Sequence, residues 1–139
     1  MTETLKRPAG PAPIAAVMTS DLTTVMPGAD LLDAFSLMIE RKIHHLPLVD
    51  TEGHCLVLID FPAISVGLLE ALAMDREIAL PRPGMSAPPQ VNPDDSLQRA
   101  ADAMRTAGAD ACVVVDATDR MLGIVTARDV VDAVADSAA

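Results

Sequence analysis

The chain reads as a mixed α/β (α+β) protein, two β-α-β-β-α repeats packed as a pseudo-two-fold intramolecular pair, and three observations lead there. Residues 25–64 overlay residues 91–130 without a gap at an offset of 66. Eight of those forty positions are identical, including Val25/Val91, Pro27/Pro93, Leu31/Leu97, Ala34/Ala100, Met38/Met104 and Asp50/Asp116. Inside each copy the apolar spacing changes from helical to strand-like at matching places. A unit with one open apolar face, written twice, is expected to cover itself with its own copy.

The elements follow in order. Residues 1–14 hold Pro8, Gly10, Pro11 and Pro13 and almost nothing apolar, so they are expected to form a flexible tail rather than a targeting peptide. The first repeat spans 15–74. After the turn Pro27-Gly28-Ala29-Asp30, Leu31, Ala34, Phe35 and Met38 mark one face of a helix. Leu46–Val49 and Leu56–Ile59 read as strands around a Thr51-Glu52-Gly53 turn, and a helix over 63–74 closes the repeat. Charge and two prolines make 75–84 a linker. The second repeat, 85–136, has Ser96 as an N-cap and Leu97, Ala100, Ala101 and Met104 on its helix face. Strands over 112–115 and 122–125 follow, then a helix over 127–136 with Val130, Val131 and Val134 on its buried side. Residues 137–139 are a C-terminal tail.

Composition excludes several functions. Half the residues are hydrophobic, yet there is no Trp or Tyr and only Phe35 and Phe61, so the core is built from aliphatic residues and methionine. Stacking on bases is nearly excluded. Twenty acidic against ten basic side chains, a formal charge of −10, repel nucleic acid and anionic lipid at a distance. No apolar run reaches the ~20 residues of a membrane span, so a soluble cytoplasmic protein is expected, with no membrane partner. Cys55 and Cys112 lie in apolar runs at non-equivalent positions and read as buried thiols. The densest group of cations is Arg41-Lys42-Ile43-His44-His45, which suits either a small anion or the C-terminal end of a helix. His44, His45, His54 and Cys55 do not read as a metal site, because neighbouring strand residues point to opposite faces. With no nucleophile motif or phosphate-binding loop in place, catalysis is not expected.

The ordered set Met-Thr/Ser, V-x-P, a helix with Ala and Met, Leu46-Pro47-Leu48-Val49-Asp50 and Gly123-Ile124-Val125-Thr126-Ala127-Arg128-Asp129, present as a tandem repeat, resembles a pair of cystathionine β-synthase (CBS) domains. The resemblance covers 15–136. It implies a stand-alone regulatory protein, homodimeric through its helices, that binds an adenosine-containing ligand (AMP, ADP, ATP or S-adenosylmethionine) between its repeats and signals to itself or to an unidentified protein partner. The alternative is a structural or protein-protein interaction module without a ligand. By the family pattern Thr126 and Asp129 would hold the ribose, the Asp carboxylate accepting charge-assisted bonds from its hydroxyls. Arg41, Lys42, His44 and Arg128 would meet phosphate; Met85, Val91, Ala111 and Val113 would lie against adenine. The first copy carries Val57, Asp60 and Ala63 where the second has Gly123, Thr126 and Asp129. One ligand site per chain is therefore expected.

Overall fold

A computed structural model describes residues 12–138 of the chain. The order of elements is α1 (Ile14–Val17), α2 (Leu31–Arg41), β1 (His45–Val49), β2 (Cys55–Asp60), α3 (Phe61–Met74), β3 (Gln90–Val91), α4 (Leu97–Ala107), β4 (Ala111–Val115), β5 (Met121–Thr126) and α5 (Ala127–Ala138). The 66-residue offset carries α2 onto α4, β1 onto β4 and β2 onto β5 with no shift at either end of any of these elements. Two compact bodies result. One consists of Leu22–Pro88 with Asp119–Met121, the other of residues up to Asp21, Pro89–Thr118 and Leu122 onward.

In the first body β1 and β2 form an antiparallel hairpin with Leu46 opposite Ile59 and Leu48 opposite Val57. Val25 adds a parallel bridge to Leu48, in the place where a first strand is expected. Strand β2 alternates buried Cys55, Val57 and Ile59 with more exposed neighbours, the period of two that puts one face on a core. Helix α2 presents Leu31, Ala34 and Met38, spaced three and four apart, to that core. Its N-terminus is capped by Asp30, whose carboxylate accepts the Asp33 amide at 3.3 Å. It ends at Lys42 in the left-handed conformation (φ 56°), and the Ile43 amide then returns to the Met38 carbonyl at 3.0 Å. In the second body the three-stranded sheet runs β3-β4-β5, with β3 parallel to β4. Leu97, Ala100 and Met104 of α4 repeat the buried face, Ser96 is the N-cap and Gly108 takes the left-handed position.

Several expectations need correcting. Pro13 and Ile14 are not tail: Pro13 bridges to Ser96, and Ile14 is fully buried in the core of the second repeat. Residues 1–11 of the expected tail lie outside the described residues. The closing helix of the first repeat begins at Phe61, not 63, because Asp60 caps it by accepting the Ala63 amide at 2.9 Å and Pro62 fits a first turn. The stretch 75–84 is packed rather than loose. Ile78 and Leu80 join the first core, and Glu70 bonds both Arg76 (3.2 Å) and Arg82 (3.0 Å). Helix α5 runs on to Ala138, two residues past the expected end, into the supposed tail. Its core-facing residues are Val130 and Ala133, three apart, so Val131 and Val134 turn outward and are 61% and 46% exposed.

Candidate functional site

The second repeat's junction between β5 and α5 carries the candidate site. Thr126 is the last residue of β5 and Asp129 lies in the first turn of α5. Each caps the other: Asp129 donates its amide to Thr126 Oγ1 (3.1 Å), and Thr126 donates its amide to Asp129 Oδ2 (2.8 Å). This reciprocal pair satisfies two backbone donors that a helix start leaves open. It also holds the carboxylate in place through Oδ2. The Ala127 amide donates to the Asp110 carbonyl at 2.8 Å and ties the start of β4 to the same junction.

Gly123 has a mechanical reason to be there. The segment Met18–Thr19 lies across β5, and Thr19 exchanges both backbone hydrogen bonds with Ile124, each 2.9 Å. A Cβ on residue 123 would stand 2.7 Å from the Thr19 carbonyl oxygen and 2.9 Å from Met18 Sδ. The first repeat places Val57 at the equivalent position, with Asp60 as a one-way cap and Ala63 where a second carboxylate would be.

The remaining residues named from the sequence divide between the bodies. Arg128 is exposed on α5 and pairs with Asp132 (Nε to Oδ1, 3.3 Å). Val91 lies in the second core; Ala111 and Val113 are buried on β4. In the other body, Arg41 Nη1 donates to Thr23 Oγ1 at 3.2 Å, Lys42 is the exposed left-handed cap, and the His44 ring meets Phe61 edge-on at 5.7 Å. Met85 packs on the first core, its sulfur accepting the Arg82 amide at 3.5 Å. The structure thus joins Thr126 to Asp129 directly.

One grouping was not anticipated. In the β1–β2 turn, His54 Nδ1 lies 3.5 Å from Asp50 Oδ2 and 3.8 Å from Glu52 Oε1, and the three are the group among the described residues whose donor atoms approach within 4.8 Å of one another. The alternation Asp-x-Glu-x-His was the available signal; of the histidines and cysteine weighed from the sequence, only His54 takes part. The amides of His54 and Glu52 both donate to Asp50 Oδ1 at 2.9 Å, and the His54 amide above all holds the Asp50 carboxyl below its usual range. Asp116 makes the same turn bond to the Thr118 amide at 2.8 Å, so this part of the cluster is common turn chemistry. Both cysteines are buried and unpaired with each other, and loss of hydration pushes their thiols up to about 11.

Fold and junction together define a tandem-repeat protein, one of whose repeats holds a carboxylate at a strand-to-helix turn. The chain belongs to the CBS domain family, whose model matches residues 14–58 and 76–136. Two curated relatives are homoserine O-acetyltransferases, 27% identical over 122 residues in Methanohalobium evestigatum and 32% over 120 in Methanococcoides burtonii. Each match covers 84% of this chain but 23% of the enzyme, so the chain spans about a quarter of those proteins' length. Among solved structures, CBSX2 in complex with AMP is 24% identical with a TM-score of 0.73, covering 90% of this chain and 97% of that one. The CBS domain pair of MJ0100, in complex with 5′-methylthioadenosine and S-adenosyl-L-methionine, is 22% identical with a TM-score of 0.70, covering 87% and 94%. A CBS domain-containing protein of Bacillus anthracis is 20% identical with a TM-score of 0.75, covering 89% and 93%. These likenesses establish the fold, a pair of CBS repeats. No helix among the described residues is long and apolar enough to cross a membrane.

Proposed function

We propose that this chain is a regulatory CBS pair that binds one adenosine-containing ligand, anchored on the second repeat. The observation that carries this is the Thr126–Asp129 pair, which holds a carboxylate in the first turn of α5, where β5 ends. A ribose offers two adjacent hydroxyl donors, and bonds to an ionised acceptor are the stronger kind. AMP in CBSX2, and 5′-methylthioadenosine with S-adenosyl-L-methionine in MJ0100, support the ligand class. Arg128, next to Asp129 on α5, is the proposed phosphate donor of the second repeat, and Arg41, Lys42 and His44 of the first repeat are proposed as donors on the family resemblance alone. Val91, Ala111 and Val113 are buried as side chains, so adenine contacts at β3 and β4 fall to the backbone, with Met85 as a further apolar contact.

The proposed output is a contact through helices. Helix α3 exposes Val66, Leu69, Leu72 and Met74, each more than 60% accessible, which supports a homodimer, and a separate protein partner is the second route. Thermal unfolding followed by circular dichroism tests the ligand. Saturation at 100 times Kd adds about 2.7 kcal/mol, a rise of several degrees for a domain of this size. A rise with AMP, ADP, ATP or S-adenosylmethionine that is lost in Asp129→Ala supports the reading. No rise with any of them favours a ligand-free interaction module instead.

A further inference from the structure

The two hairpin turns share a backbone and differ in side chains. Asp50 and Asp116 each accept the amide two residues on, at 2.9 and 2.8 Å, and Gly53 and Asp119 take the left-handed conformation at the same place, φ 88° and 65°. The 66-residue offset sets Glu52 against Thr118 and His54 against Arg120. Because the second turn forms with Thr and Arg at those places, turn formation accounts for Asp50 but not for Glu52 and His54. His54 Nδ1 lies 3.5 Å from Asp50 Oδ2 and 3.8 Å from Glu52 Oε1. Those separations exceed the range of about 2.7–3.2 Å for a hydrogen bond. They come close to the edges of a coordination tetrahedron: with zinc about 2.0–2.2 Å from nitrogen or oxygen, neighbouring ligand atoms stand about 3.3–3.6 Å apart. Glu52 is 74% exposed and free to close the longer edge.

We propose that Asp50, Glu52 and His54 bind a divalent transition-metal ion of the zinc class through Oδ2, Oε1 and Nδ1, leaving a fourth position to water. The proposal is independent of the ligand reading at Asp129. The carboxylate of Asp50 is oriented in advance, since Oδ1 accepts the amides of Glu52 and His54 while Oδ2 faces the imidazole. Outer hydrogen bonds of this kind fix a ligating carboxylate. The turn is also braced within its own body: the Met121 amide donates to the Gly53 carbonyl at 2.9 Å, and the stem of Arg120 packs beside Gly53. Two carboxylates gathered on one imidazole repel each other, and a divalent cation between them removes that repulsion. An imidazole in the set selects zinc, cobalt, nickel or copper over magnesium and calcium, which take oxygen ligands. Cys55, next in sequence, stays out of the set, because its buried thiol donates to the Val57 carbonyl at 3.4 Å.

Calorimetric titration of the full chain with zinc chloride tests this, with excess magnesium present to occupy scattered surface carboxylates. One zinc ion per chain should bind. The double variant Glu52→Thr/His54→Arg gives the first turn the residues that the second turn already folds with, so its far-UV spectrum should stay unchanged while zinc affinity falls about 100-fold. Asp50→Asn, whose side-chain oxygen still accepts the turn amides, should weaken binding at least about tenfold. On the wild-type chain, nitrogen NMR of the imidazoles should show zinc shifting Nδ1 of His54 and leaving His44 and His45 in place, and cobalt(II) should give d–d bands without a thiolate charge-transfer band. Zinc that shifts His44 or His45 instead, or a thiolate-to-cobalt band that brings in Cys55, overturns the donor set. Undiminished affinity in the double variant overturns the site. So does the lack of saturable zinc binding above the magnesium background, which would leave His54 as the ion-paired end of an acidic turn.

Discussion

The second strand of each repeat hands over to a helix, and the two handovers differ at every position from Val57/Gly123 to Ala63/Asp129. Asp60 caps α3 alone, accepting the Ala63 amide, and the next positions are Phe61 and Pro62. Thr126 and Asp129 cap α5 mutually, and Gly123 upstream lets Thr19 join the strand. Both solutions start a helix well, so helix formation does not explain the choice. An Asp cap is at least as good as a Thr cap. What the second repeat gains is a carboxylate one turn further in, at Asp129, and a bridged segment beside its strand. The first repeat instead gains an apolar surface: α3 carries exposed Val66, Leu69, Leu72 and Met74, whereas α5 intersperses Val131 and Val134 with Arg128, Asp132 and Asp136. The first repeat thus exposes an apolar helix face, and the second holds a first-turn carboxylate.

Substitutions at equivalent positions sharpen this. Met38→Ala and Met104→Ala, both in cores, should each cost about 2–5 kcal/mol in urea unfolding, because this part of the fold is common to both repeats. A large inequality would show that the repeats are not energetically alike even where they match. Next in size is Gly123→Ala, expected to cost about 1–3 kcal/mol since its Cβ meets backbone at 2.7 Å and backbone yields poorly. Val57→Ala should cost about 1.5 kcal/mol by simple loss of buried methyl groups. The two would differ in kind: the first frees the segment at Thr19 to proteolysis, the second does not.

Smaller effects lie at the helix ends. Lys42 and Gly108 occupy equivalent left-handed positions, φ 56° and 65°. Lys42→Gly should therefore stabilise by about 1 kcal/mol in thermal unfolding. The same change removes a proposed phosphate contact, so a gain in stability with a loss in nucleotide affinity would mark Lys42 as retained for binding. The thiols act only at high pH. Cys55 and Cys112 titrate near 11 in the folded chain, against 9.0 for an ordinary thiol. The unfolded chain loses these protons first, so the stability is present below about pH 9 and is lost as pH rises toward about 11. Folded protein at pH 8 should react with a thiol reagent far more slowly than protein in urea.

Much of this was legible in the sequence because the repeat is periodic. The 66-residue offset located α2 with α4 and both hairpins, and the glycine-to-aspartate signature located Thr126 and Asp129. What stayed hidden depends on contacts between distant segments. Nothing in Pro13-Ile14 announces that it docks beside Asp95, and a Pro-rich neighbourhood reads as loose chain. Ile78 and Leu80 sit among charges and prolines that resemble a linker, yet they fill the first core. The side of α5 that faces inward could not be read from three valines, since 130, 131 and 134 leave two rotations open. Mutual capping by Thr126 and Asp129 depends on two side-chain orientations that their spacing alone does not fix.

The Asp129 carboxylate is the proposed ligand anchor of the second repeat. Calorimetric titration of the wild-type chain with AMP and with S-adenosylmethionine, repeated on Asp129→Asn and on Asp60→Asn, tests it most directly. Binding of either compound to the wild type that survives in Asp60→Asn and falls at least about 100-fold in Asp129→Asn is the expected result, with the folded far-UV spectrum unchanged in both variants. Equal affinity in wild type and Asp129→Asn would contradict it and leave the Thr126–Asp129 pair as a helix cap alone.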